Sequence, residues 1–240
     1  MALYVLSDTH LSLSDNKPMD IFGRRWHNYT ERLRRNWNAV VEPEDTVVIA
    51  GDISWAMSHT GASEDFMFIH KLNGKKIIGK GNHDYWWTSK KKLDALMAEL
   101  GIDSVSFLYN NAYLDNGFII AGSRGWYVDE NNKNAPDSAD FEKIVAREVI
   151  RLKLSLDEAE KIKKDNPGAE ILAFLHFPPV MGDFVCRPIT DVLKEHGIKR
   201  CYFGHIHASY DLPPKFDFEG MEFYITSADY LEFTPLKITK

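Results

Sequence analysis

Five short apolar runs, scattered over about 200 residues, each break off into side chains able to hold a ligand. Leu3–Leu6 (LYVL) runs into Ser7-Asp8-Thr9-His10, and Thr46–Ala50 (TVVIA) into Gly51-Asp52. KKIIGK runs into Gly81-Asn82-His83-Asp84, ILAFL into His176, and CYF into Gly204-His205-Ile206-His207. Runs this apolar predict strands buried on both faces. In open α/β sheets ligands bind beyond the carboxyl ends of the strands. Convergence of these ends would gather Asp8, Asp52, Asn82, His10, His83, His176, His205 and His207 in one small volume.

The pattern around the runs predicts the layers. Trp26, Tyr29, Leu33, Trp37 and Val40 recur at helical steps, as do Phe66, Ile69 and Leu72. A strand at Lys75–Ile78 precedes a third helix, capped at Thr88 or Ser89, with Leu93, Leu96, Met97 and Leu100 on its apolar face. Strands alternating with helices imply parallel pairing through right-handed crossovers. Closely spaced strands at Ser106–Tyr109, Ala112–Leu114 and Phe118–Ala121 follow, and Asn116-Gly117 signals a hairpin. Ser138 to Asp165 reads as helical with a break near Ser155, and the polar stretch Asp129 to Asp140 as a surface loop. Alternation resumes with strand Ile171–Leu175, a helix near Ile189–His196 and strand Arg200–Phe203; Glu222–Thr226 and Leu236–Thr239 are further strands. The expectation is an α/β fold of two facing mixed β-sheets flanked by helices, a four-layer sandwich forming one domain over residues 1–240.

Composition narrows the partners. Hydrophobic residues make up 44% and charged ones 27%, which excludes a disordered or disulfide-scaffold chain. No apolar run approaches the ~20 residues of a membrane helix, so no membrane partner is expected. MALYVLSDTH lacks the basic start of a signal peptide, and Cys186 and Cys201 predict reduced thiols, so a cytoplasmic setting is expected. A net charge of −6 argues against nucleic acid as a partner. The oligomeric state is not legible.

The gathered side chains have a definite chemistry. On an extended segment Asp8 and His10 point to the same side and can grip one ion. Gly51, Gly81 and Gly204 allow sharp turns or close approach where the ligand side chains emerge. Carboxylates, imidazoles and an amide without thiolate suit Mn, Fe, Zn, Co or Ni. The set is too large for one tetrahedral site and fits two metals sharing a carboxylate, which can activate water and stabilise an in-line displacement at phosphorus.

In this order the residues resemble the calcineurin-like metallophosphoesterase family, whose pattern is D-x-H, G-D, G-N-H-[DE], an isolated H and G-H-x-H. The resemblance spans residues 8 to 207 and implies a dinuclear hydrolase acting on phosphomonoesters or phosphodiesters. It implies that Asp8, His10, Asp52 and His207 bind one metal, that Asp52 bridges, and that Asn82, His176 and His205 complete the second site. His83 would be catalytic, lying against the phosphate to stabilise charge or protonate the leaving group. The cofactors would be two transition-metal ions (Mn, Fe or Zn), and the substrate a small phosphoester or nucleotide. After Gly51-Asp52 the chain reads Ile53-Ser54-Trp55-Ala56-Met57, not the x-V-D-R-G of protein Ser/Thr phosphatases, which removes the acid expected to orient His83. A protein phosphatase is therefore disfavoured, and a non-catalytic scaffold is disfavoured by the complete ligand set. Loops beyond the strand ends carry Arg24, Arg25, Trp26, Trp55, Tyr85, Trp86, Trp87, Arg124 and Trp126; Arg124 is the expected phosphate-binding residue.

Overall fold

A computed structural model describes residues 1–15, 17–126 and 138–240. The first half runs β1 (Leu3–Leu6), α1 (Tyr29–Val40), β2 (Thr46–Ala50), α2 (Ser63–His70), β3 (Lys75–Gly79), α3 (Lys90–Glu99) and β4 (Val105–Phe107). It continues through β5 (Tyr113–Asp115), β6 (Phe118–Ser123), α4 (Ser138–Asp165), β7 (Glu170–Leu175), β8 (Val180–Met181) and β9 (Phe184–Val185). The last elements are α5 (Arg187–Glu195), β10 (Arg200–Phe203), β11 (Lys215–Phe218), β12 (Met221–Ile225) and β13 (Leu236–Ile238). One sheet has the order β13-β1-β2-β3-β4 and is parallel except for β13. The other has the order β11-β12-β10-β7-β6-β5, with parallel strands inside and an antiparallel strand at each edge.

Strand alternation sorts the side chains into layers. Leu3 and Val5 of β1 pack with Val48, Ile77, Ile120, Leu172, Phe174 and Tyr202 between the sheets. Tyr4 and Leu6 turn the other way, toward Leu33 and Trp37 of α1, Phe66 of α2 and Leu93 of α3. On the far face Leu152, Leu156, Ile189 and Leu193 of α4 and α5 cover Ile119, Ala121, Ala173 and Phe203. The result is the expected mixed α/β sandwich of two facing sheets with helices outside. Among the described residues, no helix is long and apolar enough to cross a membrane.

Local expectations differ in places. α4 runs unbroken through Ser155, because that buried side chain satisfies itself sideways. Its hydroxyl accepts from Gly122 N at 2.8 Å and donates to Asn111 O at 2.6 Å. α1 buries Tyr29, Leu33 and Trp37, but Val40 is exposed and Val41, just past the helix, enters the core. The β8–β9 hairpin, with strands of two residues each, and the short β11 (KFDF) are too brief to stand out in sequence. Of the surface-loop assignment for 129–140, residues 129–137 lie outside the described residues, and α4 begins at Ser138.

Parallel strands send every ligand-bearing loop to one edge of the sandwich, and backbone bonds then tie the two sheets together there. Ser7 N donates to Thr226 O and Ala228 N to Ser7 O, each at 2.9 Å. Within the first sheet, Asp8 N donates to Gly51 O at 2.9 Å and His10 N to Asp52 O at 3.0 Å, joining the loops after β1 and β2.

Candidate metal centre

The side chains meet because the backbone leaves the strands abruptly. β1 stops at Leu6, and Asp8 (φ 58°) and His10 (φ 44°) both adopt left-handed backbone rather than the extended segment expected. Asp52 (φ 53°) and His205 (φ 70°) do the same. Such a conformation costs a non-glycine residue roughly 1–2 kcal/mol, and strain of this kind clusters at functional sites. Two glycines make the approach possible without positive φ. A Cβ on Gly81 would collide with the carboxylate and amide of Asp52, and one on Gly204 with the Asp8 carboxylate and Ser7.

Two groups of donor atoms result, each lying within 4.8 Å: Asp8, His10 and His207; and Asp8, Asp52 and His176. Asp8 Oδ1 is 3.4 Å from His207 Nε2 and 3.9 Å from His10 Nε2. Asp52 Oδ2 lies between the halves, 3.7 Å from His10 Nε2 and 3.4 Å from His176 Nε2. Asn82 Oδ1 is 2.6 Å from His176 Nε2. The amide of His205 donates to both Asp8 oxygens at 3.1 and 2.9 Å, and its ring centroid lies 5.3 Å from that of His176.

The donor set fits cations. His176 Nδ1 faces two acceptors, the Ala50 carbonyl at 3.2 Å and Asp8 Oδ1 at 3.9 Å, which favours the proton on that nitrogen and turns the Nε2 lone pair toward oxygens of Asn82 and Asp52. Asp52 Oδ2 is buried with no hydrogen-bond partner among the described residues. Likewise His207 Nδ1 is fixed by Asp229 Oδ1 at 2.8 Å, directing Nε2 toward His10 Nε2 at 3.2 Å and Asp8. Carboxylate, amide and imidazole atoms converging in this way suit electropositive ions.

Electrostatics follow the crowding. Burial pushes the Asp52 carboxyl well above its usual range, with Asp84 and Asp8 adding to the shift. Burial acts the same way on Asp8, but the fields of His207, His176 and His10 prevail and hold it below the usual range. Burial lowers His10 and takes His176 down to about 3. Against burial, Asp8 and Asp229 push His207 up to about 10.

Sequence reasoning missed two organising acids. Asp84 is not the partner of His83. Its buried carboxylate accepts from Gly81 N (2.7 Å), Asp52 N (2.9 Å), Ile53 N (2.8 Å) and Trp86 Nε1 (2.9 Å), locking the second and third ligand loops together. Asp229, fully buried, also accepts from Ala208 N and Tyr210 Oη. It lies 22 residues beyond His207, and no spacing signal marks it.

His83 Nδ1 has no partner among the described residues, and burial, aided by Lys17, lowers the ring's pKa to about 4. A cavity of about 190 Å³ opens over His10, His83 and His207, walled by Met19, Phe22, Trp26 and Trp55. Of the expected pocket aromatics, Trp26 and Trp55 reach this wall, Trp86 is buried in the core, and Tyr85 is exposed. Arg25 is occupied in holding the Asp229 and Tyr230 carbonyls. Arg124 does not line this cavity. Its carbonyl accepts from His176 N and Phe177 N, and its guanidinium lies 3.4 Å from buried Glu148 in a neighbouring recess.

Comparison with known proteins gives the family and the fold. Residues 1–209 match the calcineurin-like phosphoesterase family model. The chain therefore belongs to that family, whose general chemistry is metal-dependent phosphoester hydrolysis. No curated protein sequence matches it. Among solved structures it is similar to a Thermus thermophilus protein (TM-score 0.56, 10% identity, covering 100% of this chain and 99% of that one). Phosphopantetheinyl hydrolase from Mycobacterium tuberculosis is also similar (TM-score 0.53, 12% identity, 99% and 95% coverage). At these identities the likeness concerns the fold.

Proposed function

We propose that the chain is a dinuclear phosphoesterase hydrolysing phosphomonoesters or phosphodiesters of small molecules or nucleotides. The observation that carries this reading is the unpartnered, buried Asp52 oxygen set between two groups of histidine nitrogens and carboxylates. Asp8, His10, Asp52 and His207 would hold one ion, and Asn82, His176, His205 and Asp52 the other. Mn, Fe and Zn all suit the donor types. When bound, two such ions supply Lewis acidity at a phosphoryl oxygen and water acidic enough to attack phosphorus near neutral pH.

The protein's own residues do the rest. Asp229 fixes His207, and the Ala50 carbonyl fixes His176, each presenting Nε2. Asp84 holds the loops that present Asp52 and Asn82. His83 lines the cavity and is placed to hydrogen-bond a phosphoryl or leaving-group oxygen. Met19, Phe22, Trp26 and Trp55 exclude water from the same space. Arg124 binds substrate, so Arg124→Ala should raise KM. The two buried, unpaired cysteines support a reducing, cytoplasmic setting.

The test is hydrolysis of 4-nitrophenyl phosphate and bis(4-nitrophenyl) phosphate with Mn²⁺. Asp52→Asn should lower activity by more than about 100-fold, beyond the usual loss for an outer-shell residue. Full activity in that variant would falsify the bridging role.

A further inference from the structure

We propose that a cationic recess beside the candidate centre binds a second anionic group of the substrate, making phosphoesters with two separated anionic groups the preferred class. This deepens the phosphoesterase reading and rests on it.

Lys80, Arg124, Arg151 and Glu148 line the recess with Tyr109 and Asn110. Two of the cations stand at strand ends, as the candidate ligands do. Lys80 immediately follows β3, two residues before Asn82, and Arg124 immediately follows β6. The recess adjoins the His176 half of the centre. The Arg124 carbonyl accepts from His176 N at 3.1 Å. Its guanidinium carbon lies 5.8 Å from the Phe177 ring, which is 4.5 Å from the His205 ring. No residue is shared with the apolar cavity over His83.

The charges do not balance. Glu148 is buried, and one of its oxygens takes Arg151 at 2.6 Å and Arg124 at 3.4 Å. Lys80 has no hydrogen bond or ion pair among the described residues. Arg124 Nε is likewise buried without a partner, as are two acceptors of the recess, Glu148 Oε2 and Asn110 Oδ1. Asp52 faces the centre, and Asp84 is taken up by backbone amides. One carboxylate among three cations leaves an excess of positive charge in a chain whose net charge is −6. Half-buried like charges repel and lose hydration, a cost that an incoming anion offsets. Guanidinium and ammonium groups together suit a phosphoryl group.

The test is calorimetric titration of Mn²⁺-treated protein with alkane bisphosphonates of two- to six-carbon spacers and with the matching monophosphonates, whose P–C bonds resist hydrolysis. At the fitting spacer the bisphosphonate should bind about ten-fold tighter, as a tethered second contact permits. Lys80→Gln and Arg151→Gln should each reduce that advantage, and together remove it. Arg151→Gln decides alone where the Lys80 variant does not fold. Equal affinities at every spacer, or an advantage surviving both substitutions, would overturn the recess while leaving aryl phosphate hydrolysis intact. Loss of hydrolysis in the wild-type protein would instead overturn the phosphoesterase reading and the recess with it.

Discussion

Asp84 and Asp229 show how single buried acids set the geometry of a site they do not enter. Asp84→Ala would strand at least four buried donors, each worth about 1–3 kcal/mol when left unsatisfied. Denaturant unfolding should therefore show a loss of at least about 3 kcal/mol. Asp229→Asn removes a charged acceptor from His207 while keeping the shape, so metal affinity should fall about 10- to 100-fold with the fold retained. Titration with Mn²⁺ checks it, and unchanged affinity would deny Asp229 that role. Both acids escaped sequence reading for one reason: their partners are backbone amides or residues in other loops, which leave no trace in spacing. Lys76 is a third buried charge. Its ammonium donates to the His70 and Leu72 carbonyls past the end of α2, and burial lowers its pKa to about 8. Between about pH 8 and 10.4 the unfolded chain binds the proton and the folded chain does not, so stability rises with pH. Lys76→Met should flatten that rise in thermal melts taken across the window.

At the scale of elements, β1, β2, β3, β7 and β10 were legible because burial on both faces leaves uninterrupted apolar runs. Each ends one to three residues before a candidate ligand, so the list of candidate site residues came almost directly from where those runs stop. The way the ligands converge was not legible. Asp8-x-His10 suggests strand alternation, yet both residues turn left-handed beyond the strand, a state the tertiary contacts enforce and residue type does not announce. α4 makes the opposite point. Ser155 resembles a helix breaker in sequence because serine competes for backbone hydrogen bonds. Here its hydroxyl ties the helix to Gly122 and Asn111. Ser155→Ala should leave the Gly122 amide unsatisfied and destabilise the protein by about 1–3 kcal/mol. An unchanged unfolding midpoint would show that the tie contributes nothing.

Across the whole molecule, the candidate centre lies at one edge of the sandwich, where strand ends of the two facing sheets meet. β1, β2 and β3 supply Asp8, His10, Asp52 and Asn82 from one sheet, while β7 and β10 supply His176, His205 and His207 from the other. Ions held by both sheets would bind the folded chain and not the unfolded one, and so would stabilise it by linkage. At a free concentration 100 times the dissociation constant the gain is about 2.7 kcal/mol, which raises Tm by roughly 5–11 °C in a chain this size. A chelator should reverse the shift. The most direct measurement is anomalous scattering from crystals grown with Mn²⁺. The account predicts two peaks about 3.5–4 Å apart, both within bonding distance of Asp52. A single peak, or none among these side chains, would contradict it.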